Sequence, residues 1–310
     1  MTITYRKATA DDSYAVFQVF SKSIIDLGER TNVMAITGGN HPEVLQSLWS
    51  HRKFLFEYLA ESAAQFWVAE ENGKIIGYAR SIEHDGLMDL TEFFVLPEQQ
   101  SAGVGRELMA RAFPETDAQH RIIVATMDER ALSRYLRAGV YARFPIKYFS
   151  RKAEKVTVET DLVIEPLQID LHLNDLNRID KQIIGHSRGN IHCWIATTRD
   201  GFVYKRNGEI VGYGYVGGGN GPFALLDETD YRAVLAHAEL LMAEKGEEFG
   251  AETPFINKGA IQYFLERKYR IDLFTVLFMS NEPFGKFENY LCFSPIFFMR
   301  MLSHRDHRDL

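Results

Sequence analysis

The sequence is short of the residues that mark specialised protein classes. It has 2 cysteines in 310 residues, Cys193 and Cys292, with neither the CxxC spacing of a zinc site nor the number that a disulfide framework needs. It has 9 prolines and no low-complexity tract, which excludes a mainly disordered chain. We therefore expect globular domains that need no metal, with both thiols in a core.

Long apolar runs and an excess of positive charge are also missing. The longest strongly apolar run near the end, LFTVLFM at 273–279, suits a buried strand and is too short to cross a bilayer. The opening MTITYRKATADD has no apolar signal region, so we expect a cytoplasmic protein without a membrane partner. The net charge is −7, and no basic stripe alternates with aromatics, so nucleic acid is not an expected partner.

What the sequence does contain is one hairpin pattern written twice. ENGKIIGYAR occupies 71–80 and RNGEIVGYGY occupies 206–215. In both, Asn-Gly separates two strand-like stretches, which is the commonest way to close a two-residue hairpin. The length allows two domains of about 150 residues each. Two such hairpins can also be alike by chance, so the segments that follow them decide.

A strand, a glycine turn and a helix follow the first copy. LTEFFVL reads as a strand that ends before Pro97, and Gly103 and Gly105 lead into the helical pattern RELMARAF. A helix N-terminus after a glycine turn presents free backbone N–H groups to an anion. The turn is not a Walker A loop, since Arg106 follows Gly105, and Leu108 stands where a dinucleotide fingerprint needs its third glycine.

Two spaced motifs carry a resemblance to a known family. The pattern V-x-P-x-x-[R/Q]-x-x-G-x-[G/A] is matched by Val95, Pro97, Gln100, Gly103 and Gly105. After the strand RIIVATM, the pattern Asn-x-x-Ala-x-x-x-Tyr-x-x-x-Gly-Phe is met by Asp128, Ala131, Tyr135, Gly139 and Val140, with Asp for Asn and Val for Phe. In these motifs the sequence resembles the GNAT superfamily of N-acetyltransferases, most sharply across about residues 66–140.

The resemblance implies a site that binds the diphosphate of acetyl-CoA, with no metal. The implied cofactor-binding residues are Phe94, Val95, Gln100, Ser101, Ala102, Gly103, Val104, Gly105 and Arg106. Backbone N–H groups of the strand at 93–95 would polarise the thioester carbonyl, and Tyr135 would be the general acid that protonates the leaving thiolate.

An acceptor amine also needs a base, and the acid-only stretch 81–98 offers Asp89 and Glu92 as further catalytic candidates. Strand side chains alternate between faces, so two residues three apart should point to opposite faces and at most one should face a cleft. Asp89 is slightly favoured, because Phe93 and Val95 then share its face.

The second half repeats the fold signals without the chemistry. VGGGNGPF does not open a helix, and the later helix carries Asp227, Glu228 and Asp230 in its first turn, which would repel a diphosphate. In NKGAIQYFLERKY, Phe264 stands at the position of the acid tyrosine. We predict an α/β (α+β) chain of two tandem GNAT-like domains, each a mixed, mostly antiparallel sheet flanked by helices: 1–150 catalytic and 151–310 degenerate.

The predicted activity is N-acetylation of a primary amine by direct attack on acetyl-CoA, with a small-molecule or peptide amine as the acceptor. A non-catalytic acyl-CoA sensor or regulatory module is the alternative, and turnover that depends on Tyr135 would discriminate the two. The second domain could complete the acceptor pocket or form a homodimer contact, and both alternatives stay open.

Overall fold

The computed structural model describes residues 2–31, 42–100, 103–217 and 219–291. Ser101, Ala102 and Cys292 lie outside these ranges. The chain divides into two compact units, the first ending at Val140 and the second beginning at Tyr141, whereas the sequence placed the boundary after residue 150. The segment between the two positions belongs to a long strand that pairs with strands of the second unit.

The first unit is a mixed sheet with helices. Its strands lie in the spatial order β1 to β5, antiparallel except for β5, which runs parallel to β4. Its elements are β1 Ile3–Lys7, α1 Ser13–Thr31, α2 Pro42–Glu61, β2 Ala63–Glu71, β3 Lys74–His84, β4 Leu87–Val95, α3 Val104–Ala112, β5 His120–Thr126 and α4 Glu129–Arg137.

The second unit has its strands in two groups. In one, β6 lies between β11 and β12 and pairs antiparallel with both. In the other, five antiparallel strands take the order β13, β10, β9, β8, β7. Its elements are β6 Tyr141–Lys152, β7 Val163–Pro166, α5 Ile169–Ile183, α6 Gly189–Ile195, β8 Asp200–Arg206, β9 Glu209–Val216, β10 Phe223–Leu225, α7 Tyr231–Glu244, β11 Glu248–Pro254, α8 Lys258–Glu266, β12 Arg270–Ser280 and β13 Tyr290–Leu291.

The repeated sequence forms the same hairpin in both units, as predicted. Asn72 and Asn207 have φ of 52° and 53°, and each precedes a glycine with positive φ, which is the geometry of the tight turn that matches strand twist. Both hairpins also carry one extra residue on the second strand, Ile76 in β3 and Val211 in β9, because each ladder shifts register there. The two copies thus share a bulge as well as a turn.

Helices α1 and α2 both carry several aromatic residues. Their aromatic residues form a core: the Phe17 ring lies 5.5 Å from the Phe56 ring and 5.3 Å from the Trp49 ring, centroid to centroid. Phe56 is fully buried, whereas Phe54 points outward. The apolar spacing of α2 therefore reflects core packing.

Two expectations from the sequence are wrong in part. The run LFTVLFM does lie in a strand, β12, but the ladder with β6 is broken between Ile271 and Thr275, and Leu273 is 80% exposed. Only the far end of the run is buried, at Phe278 and Met279. Cys193 is exposed and is therefore not a core thiol.

Candidate active site

The site of interest is the gap that opens where β4 and β5 part. The two strands pair in parallel from Leu87 opposite His120 to Leu90 opposite Ile123, and the pairing then ends. Beyond that point the rest of β4, the end of β5 and the helices α1, α3 and α4 line a cleft of about 1020 Å³. All of the residues that line it belong to the first unit.

A bulge in β4 sits at the point of separation. Arg80 pairs with Glu92 and Ser81 pairs with Leu90, so Thr91 is an extra residue on β4. The prediction that Asp89 and Glu92 point to opposite faces is therefore wrong, because the extra residue resets the alternation. Both now lie on the same face.

The face assignment of the later β4 residues changes with it. Phe94 lies on the face of Asp89 and Glu92 and contacts Phe20 of α1, at 5.1 Å between ring centroids. Phe93 lies on the other face, 6.1 Å from the ring of Tyr135 in α4. The reason for favouring Asp89, a face shared with Phe93 and Val95, does not hold.

The bulge also determines which amides of β4 face the cleft. Leu96 donates its N–H to the Ile76 carbonyl oxygen of β3 at 2.9 Å. Since N–H directions alternate along a strand, Phe93 and Val95 turn theirs away from β3, towards the cleft. The Val95 carbonyl oxygen also points away from β3, since it accepts hydrogen bonds from Ser23 Oγ of α1 and from Gln100 Nε2, each at 3.2 Å.

The two candidate bases differ in placement. Glu92 lines the cleft but is fully buried, and its carboxylate accepts hydrogen bonds from Arg80 Nε at 2.6 Å and Tyr78 Oη at 3.0 Å. Asp89 is also buried and is not among the residues that line the cleft. The strand therefore offers one carboxylate at the cleft, and that carboxylate is already held by two residues, Arg80 and Tyr78.

The glycine turn has the conformation that the sequence requires. Gly103 has φ of 85° and precedes the first turn of α3, where the backbone N–H groups have no partner within the helix. At Gly105 an added Cβ would lie 3.0 Å from Phe93 Cζ and 3.1 Å from Arg134 Nε, so only glycine leaves the backbone bare there. Val104 is buried beside them.

Positive charge near the turn comes from α4, which the sequence analysis did not single out. The Arg134 side chain packs against Gly105, and Arg130 Nη1 donates to Gln100 Oε1 at 2.6 Å. Arg106, the predicted phosphate ligand, is instead 83% exposed with its Nε 3.6 Å from Glu107 Oε1. The spacing Arg130, Arg134 is one helical turn, and that was the available signal.

The family comparison agrees with this geometry. The family model described as the acetyltransferase (GNAT) domain matches residues 62–144, which span β2 to the start of β6 and include the bulge, the glycine turn and α4. Residues 62–144 form a GNAT domain. A search of curated proteins finds no significant match.

Solved structures with the GNAT fold extend the likeness to nearly the whole chain. A protein from Pyrococcus horikoshii assigned as an acetyltransferase aligns at 15% identity with a TM-score of 0.68, over 93% of this chain and 92% of that one. A tandem GNAT protein from the clavulanic acid biosynthesis pathway aligns at 11% identity with a TM-score of 0.59, over 91% and 99%. A GCN5-related N-acetyltransferase from Sphaerobacter thermophilus aligns at 13% identity with a TM-score of 0.57, over 90% of this chain and 95% of that one. At these identities the alignments show the fold alone: a GNAT fold over most of the chain, which supports acyl transfer in general.

The α4 motif of the GNAT domain is built as the sequence predicted. Asp128, which replaces the motif's Asn, still caps the helix by accepting from the N–H groups of Arg130 and Ala131 at 2.8 and 3.2 Å. Its other oxygen accepts from Arg30 Nη2 of α1 at 2.8 Å. Burial acts to raise the pKa of Asp128, but the hydrogen bonds from Arg30 and the backbone outweigh it and lower the pKa.

Tyr135 lies on the same helix and lines the cleft. Its side chain is 6% exposed. Burial, with a smaller effect of the Asp128 charge, raises the pKa of Tyr135 above its ordinary value against the opposing charge of Arg134. The phenol therefore keeps its proton at any physiological pH, as a proton donor must.

The second GNAT-like unit differs where its own cleft would open. One edge of β10 pairs with β9, and the other edge is covered by β13, with Phe223 opposite Leu291 and Ala224 opposite Tyr290. Asn289 Nδ2 adds a hydrogen bond to the Leu225 carbonyl oxygen at 2.6 Å. The edge that stays open in the first unit is therefore occupied here by the chain itself.

The catalytic positions of the second unit are filled by structural residues. Asn257 caps α8 by accepting from the Ala260 N–H at 2.9 Å, and Phe264, at the place of the acid tyrosine, is fully buried. The short helical turn before α7 carries the predicted acidic residues Glu228 and Asp230. Asp227 caps this turn by accepting from the Thr229 N–H at 2.9 Å. This helix start carries negative charge instead of an anion site.

The tyrosine shared by the two hairpins has the same kind of partner in both. Tyr78 donates to the buried Glu92, and Tyr213 donates to the buried Asp180 of α5. Asp180 also accepts from Arg188 Nε at 2.9 Å and lies 3.0 Å from His192 Nε2. Burial acts to raise the pKa of Asp180, but the charges of Arg188 and His192 lower it to about 2.

Within the described ranges, no group of three or more His, Cys, Asp or Glu side chains could hold a metal ion. None of the helices described is both long enough and apolar enough to cross a membrane.

Proposed function

We propose that the first GNAT domain transfers an acetyl group from acetyl-CoA to a primary amine by direct attack. The observation that carries the proposal is the cleft between β4 and β5, which combines a bare glycine turn, two strand amides that face inward and a buried tyrosine. No other part of the described chain combines these three features.

The glycine turn would hold the diphosphate of acetyl-CoA. The N–H groups of Val104 and Gly105 begin α3, and the helix dipole adds positive potential at that end. Arg134 packs on the same turn. Gly105 supports this placement of the diphosphate, because any side chain there would fill the space through which a phosphate reaches the backbone N–H groups.

The amides of Phe93 and Val95 would polarise the thioester carbonyl. Charge develops on that oxygen as the amine nitrogen forms the C–N bond, and preorganised N–H donors are among the largest contributions to such catalysis. The C–S bond then breaks, and Tyr135 would supply the proton to the leaving sulfur. No covalent enzyme intermediate is needed.

The acceptor amine must lose a proton before it attacks. An alkylamine with a pKa near 10.4 needs about 5 kcal/mol to become the free base at pH 7. Because the Glu92 carboxylate is held by Arg80 and Tyr78, we infer that the amine enters as the free base or passes its proton to water. Asp89 does not line the cleft and could take the proton only through water. An Asp89→Asn variant with an unchanged pH–rate profile would exclude Asp89.

A thiol-release assay with a panel of polyamines, aminoglycosides and lysine peptides tests the proposal. At least one amine should give turnover with acetyl-CoA, and Tyr135→Phe should abolish most of it. Tyr263→Phe is the matched control: Tyr263 is a buried tyrosine on α8 of the second unit. Binding of acetyl-CoA with no turnover on any amine would favour the sensor instead.

A further inference from the structure

The buried Arg80 contacts both residues of the β4 bulge. Its carbonyl oxygen accepts a hydrogen bond from Thr91 Oγ1 at 3.0 Å, and its guanidinium forms a two-point ion pair with the Glu92 carboxylate, 2.6 Å from Nε. A single residue of β3 thus fixes the extra residue and the one after it.

The guanidinium is itself tightly placed. Arg80 Nη1 donates to the Phe56 carbonyl oxygen of α2 at 3.0 Å, and the group lies 4.7 Å from the centre of the Phe66 ring. Burial lowers the pKa of Arg80 to about 10, which leaves it charged at neutral pH. A buried ion pair is often no more stabilising than apolar side chains of the same volume, so stability alone does not explain this pair.

The bulge determines which backbone N–H groups of β4 point into the cleft. Strand alternation without the extra residue would turn the N–H groups of Phe93 and Val95 back to β3, where the ladder would use them. With Thr91 inserted, Phe94 and Leu96 bond to β3, and Phe93 and Val95 face the cleft. Whatever holds the bulge therefore holds the donors of the proposed reaction.

We propose that Arg80, through its contacts with Thr91 and Glu92, is a positioning residue that holds the β4 bulge and so aims the Phe93 and Val95 amides into the cleft. Its catalytic consequence rests on the acetyl transfer proposed above. Glu92 is then the partner of Arg80 and does not act as the base.

The test replaces the pair together, as Arg80→Met with Glu92→Met, so that no charge is left buried alone. Amide exchange of the free protein followed by NMR is the first readout. In the wild type the N–H groups of Phe94 and Leu96 should be protected and those of Phe93 and Val95 should exchange. In the double variant we expect this contrast to be lost or reversed.

Kinetics with acetyl-CoA and an active amine give the second readout. We expect kcat to fall at least 30-fold, since removing one oxyanion donor typically lowers kcat by about 10² to 10³-fold. The KM for acetyl-CoA should stay within threefold, because the glycine turn is unchanged. The matched control is Glu239→Met with Arg267→Met. It removes an ion pair 2.7 Å apart in the second unit, in which Glu239 is buried and Arg267 is partly exposed, and it should change neither readout.

An unchanged exchange pattern, or a kcat within threefold of the wild type, would overturn the proposal. If the double variant does not fold, Arg80→Lys keeps the charge without the two-point contact. It should lower kcat about fivefold and weaken the exchange contrast. Wild-type values of both kcat and the exchange contrast would refute the role of Arg80. Should the wild type acetylate no amine, the proposed function fails, and the exchange pattern still decides what holds the bulge.

Discussion

Replacing Tyr135 by Phe removes one oxygen atom from the cleft and little else. The ring should keep its contact with Phe93, whose centroid lies 6.1 Å away, and the buried site accepts the smaller group, so the free energy of unfolding should change by less than about 1 kcal/mol. Loss of a general acid typically lowers the rate about a hundredfold, equal to about 2.7 kcal/mol in the activation free energy. Affinity for acetyl-CoA, set by the glycine turn, should stay within twofold.

The assay is thiol release with saturating amine between pH 6 and 9.5, beside calorimetric titration of acetyl-CoA. Because burial raises the pKa of Tyr135 above its ordinary value of 10, the phenol stays protonated over this range. The wild-type rate should therefore rise with pH as the amine loses its proton, without an alkaline decline caused by Tyr135. A variant that keeps a third of the wild-type kcat, or one that loses acetyl-CoA binding instead, would refute the assignment.

Three further predictions follow from the contacts. Gly105→Val forces a branched side chain against Phe93 and Arg134, so the Kd for acetyl-CoA in calorimetry should rise at least tenfold; an unchanged Kd would exclude the turn as the diphosphate site. Asp128→Ala removes the cap of α4 and should lower stability to urea by about 1 kcal/mol, whereas Asp128→Asn keeps a cap acceptor and should lose under about 0.5 kcal/mol; equal losses would contradict the cap. The pKa of Asp180 is depressed from 3.8 to about 2, so its stabilisation is present above pH 4 and is lost as the pH falls towards 2, by about 2 kcal/mol. Acid unfolding followed by circular dichroism should show this slope in the wild type and not in Asp180→Asn.

Local signals in the sequence predict most of the elements that frame the cleft. The Asn-Gly pairs specify both hairpin turns, Asp227 marks the start of the later helix region, and Gly103 marks the start of α3. Each of these depends on neighbours within a few residues, since φ preference and capping are properties of the local backbone. For that reason these turns and helix starts were predictable from sequence alone, whereas the GNAT fold was predicted from the resemblance of the two motifs.

The features that were missed depend on residues distant in sequence. Nothing in LTEFFVL states that Thr91 is extra, because the bulge exists only when β4 is paired with β3 and its register is fixed by Arg80. A regular alternation was assumed, and it placed Glu92 on the wrong face. The pairing of β13 with β10 was missed for the same reason, because β13 lies 65 residues further along the chain than β10.

The most direct measurement is a crystal structure of the full chain with coenzyme A. We expect the diphosphate at the N-terminus of α3, within hydrogen-bond distance of the Gly105 N–H, and the sulfur between β4 and β5 near Tyr135. Coenzyme A bound in the second unit, with the turn at Gly103 and Gly105 free of ligand, would contradict the account.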